Sequence, residues 1–221
     1  MTALSGLEIR KRLEVRDIAH RNKRLVVSPL LEPDEQLRDD QASLDVRLGF
    51  DFALTAPSTH AAVDEFKRNG AASSIPPAYS ALFTRQYIPL GKHLVIHPHQ
   101  FILATTLEYL RLPDDLMAYV IGRSTWGRLG LIVATAVGIQ PRFAGALTLE
   151  LRNLGETPIA LYPGQVIAQL FFHRVEMPAM PAHAQNHATG VGQYSGTTDL
   201  IPRRLSSDKT NTKLRMLGAG I

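Results

Sequence analysis

The chain has 221 residues, no cysteine, and 45% of its residues in the hydrophobic set that includes Tyr and Trp. That length and apolar content suit one domain with a sizeable core, or one domain and a tail, and the missing thiols exclude disulfides, thiolate metal sites and a cysteine nucleophile. The 24 basic and 20 acidic residues leave a net charge of +4, with a sequence pI of about 9.5, an excess that fits an anionic small ligand as easily as nucleic acid. No apolar run reaches membrane-spanning length and no secretory leader is recognisable, so the default expectation is a soluble, cytoplasmic protein without a membrane partner.

Taken in chain order, Ser5-Gly-Leu-Glu8 has the form of a capping box, and Ile9 and Leu13 follow four apart, which predicts a short N-terminal helix. Leu25–Val27, followed by Ser28-Pro29, predicts a first short strand. Ser43–Leu48 alternates, with Leu44, Val46 and Leu48 on one face and Ser43, Asp45 and Arg47 on the other. The region Thr55–Ala81 is rich in Ala, Ser and Pro, contains Arg68-Asn-Gly70, and reads as an insertion with one helical turn. From Tyr87 onward, short apolar strands alternate with Pro and Gly turns. They are expected at His93–Ile96, Phe101–Thr106, Ala118–Ile121, Leu131–Thr135, Ala146–Leu151, Ile159–Leu161 and Val166–His173. This is the pattern of an all-β sandwich or jelly roll, not of alternating βαβ units. After Met177 the composition turns to Pro, Ala, His, Asn and Gly. The expected division is therefore a domain over 1–177, with its insertion at about 55–81, and a C-terminal arm or lid over 178–221.

Two features between Gly122 and Asn153 could carry chemistry. Gly122-Arg123-Ser124 can offer backbone N–H groups, a guanidinium and a hydroxyl to phosphate oxygens, although alone such a run is a weak signal and reads first as an ordinary surface turn. Glu150 stands inside an otherwise apolar strand, where a carboxylate must be paired, neutralised or used. It is either half of a salt bridge with an arginine such as Arg152 or Arg123, or a general base.

The stretch GRSTWGRLGLIVATAVGIQPRFAGALTLELRN resembles the dCTP deaminase family of the dUTPase-like superfamily. That family's usual form is GRSS-x-x-RLGL, a His, a Thr-Ala pair, then I-D-x-G-[FW]-x-G-x-[IV]-x-L-E-x-x-N. Pro163-Gly164-Gln165, Gln169-Leu170, Ser43–Leu48 and Leu112-Pro113-x-x-Leu116 extend the resemblance over roughly residues 5–200. The resemblance implies an all-β, dUTPase-like β-clip or jelly-roll barrel, and a homotrimer with nucleotide sites between subunits. It implies deamination of dCTP, or a related cytosine nucleotide, to the uracil form, with no catalytic metal and with Mg²⁺ carried by the triphosphate. By motif position Glu150 shuttles protons and Ser124 helps hold the attacking water. Arg123 and Arg128 hold triphosphate, Thr135 and Ala136 read the base, Gln169 lies among the substrate-binding positions, and Tyr194 closes over the nucleotide from the arm.

Several family positions differ. No histidine precedes Thr135-Ala136, and the I-D-x-G run becomes Ile139-Gln140-Pro141-Arg142. The aspartate matched by Gln140 is the water-activating base of related dUTPases, and an amide cannot take that proton, so pyrophosphatase activity is not expected. Gly138 stands where some members have arginine, and Arg142 replaces a turn glycine, which implies a changed loop or an added phosphate contact. In the arm segment Gly192–Thr197, Gln193 and Thr197 replace the family's lysine and glutamine. These departures support an alternative, a catalytically weakened nucleotide-binding sensor or regulator. His97 and His99, and His183 and His187, lack a nearby acidic cluster of ligand spacing, so no protein metal site is expected. Nucleic-acid binding has only the pI and scattered arginines behind it. Trp126 is expected in a core or subunit interface, and Phe101, Phe171 and Phe172 in the core.

Overall fold

The computed structural model describes residues 2–16, 22–56, 82–135 and 138–176. The expected insertion beyond Ala56, Ala136 of the Thr-Ala pair, and the arm with Tyr194 lie outside the described residues.

The N-terminal helix forms as expected. It spans Gly6–Leu13 (α1), and Ser5 Oγ accepts from Glu8 N at 3.3 Å. Only half of the capping box closes, because the Glu8 carboxylate accepts from Lys11 Nζ and Arg174 Nη2 at 3.1 and 3.0 Å. Ile9 is buried and anchors the helix on the core. A short strand, Val26–Ser28 (β1), and a single helical turn, Pro33–Gln36 (α2), lead into the long strand Leu44–Thr55 (β2). Then come Phe83–Tyr87 (β3), Leu94–Ile96 (β4), Phe101–Arg111 (β5) and Leu116–Gly122 (β6). A five-residue helix, Ser124–Arg128 (α3), precedes Leu131–Val133 (β7) and Gly138–Ile139 (β8). Ala144–Asn153 (β9), Ile159–Leu161 (β10) and Val166–Arg174 (β11) complete the order.

The strands build one curled antiparallel sheet in the order β7-β9-β5-β2-β11-β6-β8, with β1 on β5 and β3 on β2, and a small β10-β4 ribbon. Curling follows from β2 serving two neighbours along its length. Leu44–Arg47 pairs with β11 and Phe52–Leu54 with β5, with a register shift between Leu48 and Phe52. Gly49 sits in that shift, where a Cβ would lie 2.6 Å from Thr105 Oγ1 and 2.9 Å from Thr106 O, so only glycine admits the approach. The expected face of β2 is observed, with Leu44, Val46 and Leu48 fully buried against Leu149, Leu151, Ile167, Leu170 and Phe172.

Two core assignments need correction. Phe172 is in the main core, but its neighbour Phe171 is only half-buried, because adjacent strand residues point to opposite faces. Phe101 is also half-buried and packs with Ala53, Leu103 and Phe83 in a second, smaller cluster on the other face of the sheet. Trp126 lies partly buried against the core, its indole N–H donating to Val166 O at 2.8 Å.

A buried polar network lies where β2 and β5 bend. Glu108 is 0% exposed. Its Oε1 accepts from Gln36 Nε2 at 2.9 Å and its Oε2 from the Arg47 backbone N at 2.8 Å. Burial pushes the Glu108 carboxyl above its ordinary value, against the opposing pull of these hydrogen bonds. The folded chain thus holds this proton to higher pH than the unfolded chain. That contribution to stability is complete below the unfolded value and is lost as pH rises through the folded one. Glu108→Ala should cost about 1–3 kcal/mol by leaving the Arg47 N–H without its acceptor. Denaturant titrations across the acid range should show this cost narrowing as pH rises, and a pH-independent difference would contradict it.

Candidate active site

The Gly122-Arg123-Ser124 run leaves β6 at the sheet's end. Sequence reasoning took it as a turn, and the structure makes it the start of α3, with Gly127 N donating to Arg123 O at 3.1 Å. Five residues are too few for a helical period to be visible. The helix is stopped by Gly130 at φ +90, and a Cβ there would meet Gly155 N at 2.5 Å. The indole bond of Trp126 pins α3 to the start of β11.

On this frame Arg123 is half-buried, while Ser124 and Arg128 are exposed. Arg123 Nη1 forms an ion pair with Asp45 Oδ2. Gln169 Nε2 donates to Asp45 Oδ1 at 3.0 Å and lies 3.3 Å from Ser43 Oγ. Arg123 and Gln169 are therefore brought together, through an aspartate that sequence reasoning had placed on the correct face without assigning it a role. Neither Ser124 nor Arg128 has a side-chain hydrogen bond or ion pair among the described residues.

Glu150 lies elsewhere. It is on the half-buried face of β9, opposite Leu103 of β5, which is in turn opposite Ala53 of β2. Apolar neighbours in that row desolvate the carboxylate and push its pKa above the ordinary value. The salt bridge weighed for it is not formed. Arg123 is paired with Asp45, and no ion pair to Glu150 occurs among the described residues. Thr135 is next to it, with Thr135 Oγ1 accepting from Glu150 N at 2.8 Å, and Ala134 N donates to Glu150 O at 2.7 Å. Among the described residues, no hydrogen bond or ion pair links Glu150 and Thr135 to Arg123, Ser124, Arg128 or Gln169.

The altered turn keeps a glycine-like backbone. Arg142 sits at φ 68, Phe143 N donates to Gln140 O at 3.2 Å, and Arg142 N donates to Pro113 O at 3.3 Å. The Arg142 guanidinium lies 3.8 Å from Asp114 Oδ2, a partner within the chain. Gly138 is exposed, and a Cβ there would meet nothing within 4 Å. No group of three or more His, Asp or Glu with metal-binding spacing occurs among the described residues, and no described helix is long and apolar enough to cross a membrane.

Residues 4–175 match the family model described as dCTP deaminase-like. A protein of Dictyoglomus turgidum named dCTP deaminase, dUMP-forming, is 40% identical over 196 residues, 88% of this chain and 92% of its own length. A dCTP deaminase of Natronomonas pharaonis is 33% identical over 215 residues, 93% of this chain and 96% of its own. Among solved structures, the 2'-deoxycytidine 5'-triphosphate deaminase of Agrobacterium tumefaciens has a similar fold, with a TM-score of 0.53 and 21% identity over 86% of this chain and 53% of that longer one. With an all-β, curled antiparallel sheet and a family match across nearly the whole described region, the chain belongs to the dCTP deaminase-like family.

Proposed function

We propose that the chain deaminates dCTP to the uracil nucleotide, with Glu150 as proton shuttle. The observation that carries this is a carboxylate without an ion-pair partner among the described residues, on a stretch of sheet whose burial raises its pKa. In that state it takes a proton from water as the water oxygen bonds to C4 of the ring, and passes the proton to N3. The hydroxyl proton then follows to the 4-amino group, the C4–N bond breaks, and ammonia leaves. Ser124 holds the attacking water, Thr135 and Ala136 face the base, and Tyr194 closes the site from the arm. Mg²⁺ enters with the triphosphate as part of the substrate and needs no protein cage.

Arg123 and Arg128 are the phosphate ligands in this scheme. The exposure of Arg128 and the single anchored nitrogen of Arg123 support that role. Arg123→Ala and Arg128→Ala should each weaken triphosphate binding by about 1.5–3 kcal/mol, with less effect on the nucleoside. Calorimetry with both ligands checks this, and equal losses would mark the arginines as structural. Because no hydrogen bond or ion pair among the described residues links Glu150 to Arg123 or Arg128, we place the complete site between copies in a homotrimer, which sedimentation would test.

The deciding experiment incubates the protein with each cytosine nucleotide and Mg²⁺, measures ammonia and separates the products. Ammonia from dCTP supports the proposal. Tight binding without turnover would favour the sensor, a reading supported by Gly138, Gln140 and the strained Arg142.

A further inference from the structure

Strands β2, β11 and β6 lie side by side, with Asp45 opposite Gln169 and Gln169 opposite Ile121. The register delivers three outward side chains to one place. Gln169 Nε2 holds Asp45 Oδ1 at 3.0 Å, and Asp45 Oδ2 holds Arg123 Nη1, two residues beyond Ile121. The Asp45 side chain is only 15% exposed and that of Arg123 is 35% exposed. Arg123 commits one nitrogen of its fork, and its Nε and Nη2 have no partner among the described residues. A long side chain that is free in solution loses rotamer freedom on meeting a ligand, and anchoring it beforehand removes that cost.

We infer that Asp45, itself held by Gln169, is a positioning residue that fixes Arg123 with the open edge of its guanidinium toward an incoming phosphate. The inference rests on the phosphate-binding role given to Arg123 above. Two effects of Asp45 oppose each other. Its charge repels phosphate, while its bond orients the arginine. Gln169 and Arg123 both donate to the carboxylate and offset its charge, so orientation is the larger effect.

The test is calorimetry in a Glu150→Gln background, in which dCTP persists, with dCTP and deoxycytidine as probes. Arg123→Ala should weaken dCTP binding by about 10-fold or more, a lost charged hydrogen bond. Asp45→Asn should weaken it by about 3–10-fold, leave deoxycytidine within about twofold, and add nothing to Arg123→Ala in the double variant. Asp45→Glu, which restores the charge, should recover part of the loss. Asp45→Ser reads the same split should Asp45→Asn fail to fold. Unchanged or tighter dCTP binding in Asp45→Asn, beside a weakened Arg123→Ala, overturns the inference and leaves the phosphate role standing. Equal losses for dCTP and deoxycytidine overturn it in favour of a purely structural aspartate. Unchanged dCTP binding in Arg123→Ala removes both.

Discussion

Glu150→Gln should lower the rate of dCTP deamination by a factor of about 10²–10⁴ or more, with fold and nucleotide affinity nearly unchanged. The amide keeps the shape of the side chain but cannot accept a proton and hand it on. The fold has no reason to respond. Only the backbone of Glu150 is tied down, by Thr135 Oγ1 and Ala134 N, and the carboxylate makes no ion pair among the described residues. The raised pKa adds a second expectation. A base must begin deprotonated, so the unmutated rate should climb with pH through a limb lying above the ordinary carboxylate range. Single-turnover rates against pH, with circular dichroism of both proteins, check these points. An unaltered rate would remove Glu150 from the mechanism, and loss of the fold would make it a structural residue.

How far the chain is legible depends on whether the strand period holds. Where it holds, in Leu44-Asp-Val-Arg-Leu48 or along Ala144–Asn153, inward and outward faces follow from alternation alone. Residue type misleads where the sheet bends. On β5 the partner register moves by four residues against two on β9 between Thr105 and Tyr109. Glu108 keeps the inward parity of Ile102, Ala104, Thr106 and Leu110, while Leu107 is left half-buried, the reverse of what their side-chain polarity suggests. The same kind of shift carries β2 past Gly49 to Thr55, well beyond its legible part. Strand β3 escaped notice because Phe83–Tyr87 carries Thr, Arg and Gln at exposed positions and offers no apolar alternation. The candidate site divides similarly. Arg123 and Glu150 were found through residue type and motif spacing. The ion pair of Asp45 with Arg123 joins residues 78 apart, and only the pairing of β2 with β11 and of β11 with β6 brings them together.

The remaining large effect concerns what becomes of the product. Removing pyrophosphate from a uracil nucleotide requires a base that orients water at the α-phosphorus, and the sequence resemblance matches Gln140 to the aspartate that serves as that base in related dUTPases. Its amide cannot take the water's proton. We therefore expect dUTP to accumulate from dCTP, and added dUTP to persist. The rival outcome is concrete, because the Dictyoglomus turgidum relative, 40% identical, is named dUMP-forming. Gln140→Asp alone should restore little cleavage. Its turn is set by Pro141, by Arg142 at φ 68 and by the Phe143 N–H on Gln140 O, and a carboxylate misplaced by about 1 Å can lose about 100-fold. Pairing Gln140→Asp with Arg142→Gly relaxes the left-handed position and should recover more than the single change. Chromatographic separation of dUTP, dUMP and pyrophosphate over a time course measures all of this. Rapid dUMP and pyrophosphate from the unmutated chain would mean that water is activated without a carboxylate at position 140.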